Sequence, residues 1–127
     1  MATIWGHLTL IGDNFDHSAV SAALSATPTW IKKPDDILGN GRRFGHCEWG
    51  VTTHKFIADD LSDVVDALME ALPCSSRQIA EAAAPAKAHW HILFSIDADD
   101  DIPAMAIPPK FSAFAAEIGA EVGFDII

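Results

Sequence analysis

Ala88-His89-Trp90-His91-Ile92-Leu93-Phe94-Ser95-Ile96 is the stretch on which the fold turns. In an extended chain Trp90, Ile92, Phe94 and Ile96 share one face, and His89, His91 and Ser95 share the other, because side chains alternate across a strand. A strand apolar on one side and polar on the other belongs to a sheet with one packed face and one solvated face. The strength of the pattern puts this strand near the middle of that sheet.

The same rhythm recurs on either side of it. Thr3 to Ile11 places Ile4, Leu8 and Leu10 opposite Trp5, His7 and Thr9, and Phe44 to Thr53 places Cys47, Trp49 and Val51 opposite His46, Glu48 and Thr52. Val122, Phe124 and Ile126 alternate with Gly123 and Asp125 in a terminal strand. Between the strands the period changes to that of helices. Asp16 is placed to cap a short helix carrying Val20, Ala23 and Leu24, which must stop before Pro28. Leu61, Val64, Val65, Leu68 and Leu72 recur at steps of three and four up to Pro73, and Ser76 is placed to cap a further helix running to Ala84. Pro108 or Pro109 opens a helix with the stripe Phe111, Phe114, Ala115 and Ile118, which Gly119 ends. Asp97 to Asp101 is an acidic turn, Ala104 to Ile107 is a candidate for brief pairing, and Ser25 to Arg43, punctuated by Pro28, Pro34, Gly39 and Gly41, reads as a long loop.

The expected fold is α+β: one domain over residues 1–127, a two-layer sandwich of a largely antiparallel four-stranded sheet with helices on one face, nearest to a ferredoxin-like arrangement. A chain of 127 residues, half of them hydrophobic, is large enough for one core. Asp and Glu number 18 against 8 Lys and Arg, a formal charge of −10, so the field repels phosphate backbones and nucleic acid is not an expected partner. No stretch approaches the roughly 18 unbroken apolar residues of a membrane span, and a cytoplasmic location is expected. Cys47 and Cys74 are read as free, buried thiols.

The succession Asp16-His17-Ser18-Ala19-Val20, Pro28-Thr29, Lys32-Lys33 and Trp49-Gly50-Val51-Thr52 resembles a family of small bacterial domains known as DUF 4279. The tail is similar too, with a helix opening at Pro108 to Phe114 and Ala116-Glu117-Ile118-Gly119-Ala120-Glu121 leading into Val122-Gly123-Phe124-Asp125-Ile126. The family often has Gly after the Lys of the loop, where this chain has Pro34-Asp35. The family has no assigned activity, so the resemblance bears on fold and leaves function to the residues.

Two constellations bear on function. The long loop holds Lys32, Lys33, Arg42 and Arg43, four of the eight basic residues, with Trp30 and Trp49 beside it. Arginine forks suit carboxylates and phosphates, and indoles supply apolar contact area. The plainer reading is a solvated loop whose tryptophans belong to the core. The polar sheet face carries His7, His46, Glu48, His89 and His91 together with Asp125, donors that suit zinc or another divalent metal. The plainer reading there is the solvated side of a half-covered sheet.

The acidic run from Asp97 fails the calcium-loop pattern, with Ile102 where glycine is needed and Pro108 where glutamate is needed. HExxH, GxSxG and P-loop motifs are absent from the sequence. The leading expectation is therefore a non-enzymatic binding module for a protein partner or small anionic ligand, of a toxin-neutralising or regulatory type. The alternatives are a metal-dependent hydrolase using the histidine face with Glu48 as base, and a structural subunit that forms a homodimer.

Overall fold

The computed structural model describes residues 1–37, 39–41, 45–99 and 102–127. The elements run β1 (Ala2–Gly12), α1 (His17–Leu24), β2 (Trp30–Lys32), β3 (Cys47–Thr52), β4 (Phe56–Ala58), α2 (Ser62–Met69), α3 (Ser76–Ala86), β5 (His89–Asp97), α4 (Pro109–Ile118) and β6 (Glu121–Ile126). They form one mixed sheet in the order β2-β3-β1-β5-β6, with β4 pairing the start of β1.

The α+β, two-layer expectation holds, with three corrections to the sheet. It has six strands among the described residues, because β2 and β4 are three residues each and too short to show a period. The stretch read as a loop from Ser25 to Arg43 thus contains a strand. The central strands β1 and β5 are antiparallel, whereas a ferredoxin-like sheet has parallel central strands, and β6 runs parallel to β5 after the α4 crossover. Ala104 to Ile107 contributes a single bridge, Asp60 to Ala104.

Local chemistry accounts for most helix ends. The Asp16 carboxylate accepts from Ser18 N (2.9 Å) and Ala19 N (3.3 Å) and starts α1. At α3 the cap is Ser75 rather than Ser76, because Ser75 and Gln78 satisfy each other's backbone N–H groups reciprocally. Pro109 occupies the first turn of α4, and Gly119 closes it at φ 69°. Helix α2 ends at Met69, ahead of Pro73.

All four helices among the described residues lie on one side. The Trp49 indole N–H donates to Ser21 Oγ of α1 (2.9 Å), Trp90 donates to Ile79 O of α3 (2.8 Å), and Phe111 of α4 packs edge-on against Phe94. Helix α2 crosses β1 at Gly6, where an added Cβ would sit 2.7 Å from Leu68 Cδ1. Ile4, Leu8, Leu10, Trp49, Trp90, Ile92, Phe94 and Ile96 are essentially inaccessible, so the alternation read from β1, β3 and β5 points to the core as expected. Strand β6 departs from it: Val122, Phe124 and Ile126 lie on the core side but remain 39%, 40% and 52% exposed, because the helical layer stops short of this edge.

Candidate functional site

The second face of the sheet has no helix on it among the described residues. Strand register sets its rows. Trp30, Gly50, Thr9, His91 and Glu121 form one, and Thr52, His7, Leu93 and Gly123 the next. Trp5, Ser95 and Asp125 form a third, while Lys32, Glu48, Ile11 and His89 run along one end.

His7 sits at the centre, half-buried between two hydroxyls. Its Nδ1 is 3.0 Å from Thr52 Oγ1 and its Nε2 is 3.1 Å from Ser95 Oγ, so the neutral ring donates from one nitrogen and accepts at the other. Desolvation lowers its pKa from the ordinary histidine value, and the Asp125 carboxylate partly opposes that. The Trp30 indole meets His7 edge-on at 5.8 Å and donates to Glu48 Oε1 (3.1 Å). The other Glu48 oxygen is 3.0 Å from His46 Nε2. Trp30 covers Gly50, which has no side chain to hold it off. Lys55 Nζ stands 4.5 Å over the Trp5 ring. The result is an aromatic and hydroxyl-rich surface in which the named donors and acceptors are joined to one another.

Of the residues singled out for the loop site, Trp30 belongs to this face and Lys32 and Lys33 are exposed beside it. Trp49 does not: it points the other way, into the core against Trp90, as its alternation with Cys47 and Val51 requires. Arg42 and Arg43 lie outside the described residues. Of the residues singled out for a metal, His7 and Glu48 face outward with His89 and His91, and His46 precedes β3. Across the strands His91 stands opposite Thr9 and Glu121, and His89 opposite Ile11. Among the described residues no three His, Cys, Asp or Glu side chains gather around a common point for a metal. Cys47 and Cys74 are free, Cys47 buried and Cys74 only partly so.

Trp5, Thr9, Thr52, Leu93 and Ser95 were not named as site residues. The two-residue alternation already put Trp5, Thr9, Thr52 and Ser95 on the outward face. What it could not supply was the register that brings Thr52 and Ser95 to opposite sides of His7, strand-neighbours separated by 45 and 88 positions in sequence.

Next to the face, a crevice of about 450 Å³ is lined by Thr27, Thr29, Thr52, Thr53, His54 and Glu70. Two of its hydroxyls serve the backbone: Thr29 Oγ1 accepts from Thr52 N (3.0 Å), and Thr53 Oγ1 accepts from Gly6 N (2.9 Å) and donates to His54 O (2.9 Å). No helix among the described residues is long and apolar enough to cross a membrane.

A family model described as "Domain of unknown function (DUF4279)" matches residues 3–127. Neither the curated proteins nor the solved structures give a match.

Proposed function

We propose, on the premise that the chain belongs to the DUF4279 family, that it is a non-enzymatic binding module that engages a basic protein partner through its open sheet face. The observation that carries this reading is the helix-free face, where Trp5, Trp30 and Leu93 stand among polar groups already bonded within the sheet. Aromatic side chains held in one conformation lose little entropy on association, and such anchors dominate the energetics of protein interfaces.

The partner's charge is argued from this chain's own. Exposed Asp97, Glu121 and Asp125 border the face on the β5–β6 side, within a chain of formal charge −10. A field of that sign speeds encounter with a basic surface and repels an acidic one. A toxin-neutralising or regulatory role is this kind of association. His7 and Glu48 act here as struts that hold Trp30 and the sheet surface in place, not as proton-transfer groups.

The test is co-purification from the source cell lysate with the wild-type chain and with a Trp5→Glu, Leu93→Glu variant, after confirming that both melt alike. A protein retained by the wild type, released by salt and lost by the variant supports the reading. Equal retention by both overturns it.

A further inference from the structure

The two edges of the sheet differ. Strand β2 is three residues long and runs into Lys32, Lys33 and Pro34, features that discourage another strand from adding there. Strand β6 is six residues long, with no Lys, Pro or bulge, and its Val122, Phe124 and Ile126 stripe is exposed. Ile127 N donates to Ile96 O (2.8 Å). By the alternation of a strand, the N–H and C=O groups of Val122, Phe124 and Ile126 then point away from β5, toward the open edge.

We propose that β6 pairs with β6 of a second copy of this chain, antiparallel about a two-fold axis, with Phe124 opposite Phe124. The apolar stripe is symmetric about that residue. Val122 then falls opposite Ile126 of the second copy, so every directly opposed pair on the core side is apolar and every opposed residue there carries outward-pointing backbone groups. A two-fold interface requires such self-complementarity.

Charge selects the register. Centring the pair on Gly123 instead sets Glu121 against Asp125 of the second copy, two like charges directly opposed. Centring it on Phe124 sets Asp125 opposite Gly123 and Glu121 opposite Ile127, which moves the acids from directly opposed to diagonal positions. The joined sheet is continuous across both chains, and their open faces lie side by side. Because each chain carries a formal charge of −10, long-range repulsion opposes assembly and salt relieves it.

The experiment is sedimentation equilibrium over a range of protein and salt concentrations on the wild type and two double variants. The wild type is expected to approach twice the 13.6 kDa chain mass, more completely at higher salt. Val122→Lys with Ile126→Lys sets like charges opposite one another and is expected to stay monomeric. Val122→Lys with Ile126→Glu sets opposite charges across the same two positions at unchanged net charge and is expected to restore the dimer. A wild type that is monomeric throughout, a dimer that survives the Lys/Lys change, or failure of the Lys/Glu change to restore it each overturns the proposal. Amide exchange on the wild type gives an answer that does not depend on the variants folding. The N–H groups of Val122, Phe124 and Ile126 should become more protected as protein concentration rises, and rates independent of concentration overturn it.

Discussion

The indole of Trp30 lies against Gly50, its partner across the β2–β3 pair, so closely that a methyl group at Gly50 would overlap three of its ring carbons. This one contact holds the short edge strand's aromatic residue flat on the sheet and aims its N–H at Glu48.

Gly50→Ala is therefore expected to lift Trp30 from the sheet and break the bond to Glu48, at a cost of about 1–3 kcal/mol in stability. Chemical denaturation measures the cost, and near-ultraviolet circular dichroism reports the freed indole. A spectrum identical to wild type would mean that the ring does not rest on Gly50.

The close approach of Leu68 to Gly6 makes a second pair. Gly6→Ala alone should push α2 off β1, and Leu68→Ala alone should cost roughly 2–5 kcal/mol by leaving a cavity. Combined, the new methyl group occupies part of the vacated space. The double variant should thus be less destabilised than the sum of the singles, by about 0.5–3 kcal/mol. Strict additivity would show that the two residues do not compete for the same volume.

Acid should weaken the fold through His7. Its folded pKa lies below 6.5, the ordinary value, so as pH falls through 6.5 the unfolded chain takes up the proton first. The contribution is complete above 6.5 and is lost as pH drops toward and past the folded pKa. Nuclear magnetic resonance titration should place His7 below 6.5, and His7→Gln should flatten this part of the stability profile. A midpoint at or above 6.5 contradicts the prediction.

Trp90→Phe removes the donor that serves the buried Ile79 carbonyl and should destabilise the domain by about 1–3 kcal/mol. Equilibrium denaturation by urea checks this. An unchanged midpoint would mean that water or another donor takes over.

Zinc added to chelator-treated protein should raise the melting temperature no more for the wild type than for a His89→Ala, His91→Ala variant. Ion binding to the native state alone would raise it, and the register sets His91 and His89 opposite residues that form no common ligand set. A shift of several degrees that vanishes in the variant would restore the metal reading.

The β1, β3 and β5 faces were legible in the sequence because each strand is long enough to alternate several times between core and solvent, and Asp16, Pro109 and Gly119 marked helix ends by their local chemistry. Strands of three residues carry no such rhythm, so β2 and β4 were not legible. The alternation of Val122, Phe124 and Ile126 was read correctly as strand, yet their exposure depends on how far α4 reaches over the sheet, which is a tertiary matter. The outward face was likewise legible by parity, while the neighbours of His7 depended on pairings between distant segments. Trp49 was a different case: its parity with Cys47 and Val51 already placed it in the core, and its closeness in sequence to the basic loop suggested a surface role it does not have.

The pairing of His7 with Leu93 at the middle of the sheet also bears on how the domain comes into being. As the chain leaves the ribosome, β1 emerges well before its principal neighbour β5, and only β3 and β4 are made in between to pair with it. Until then the side of β1 that meets β5 stays open. Closing so large a loop is slow, so the β1–β5 pairing should form late, and β1 is the segment most in need of shelter in the interval.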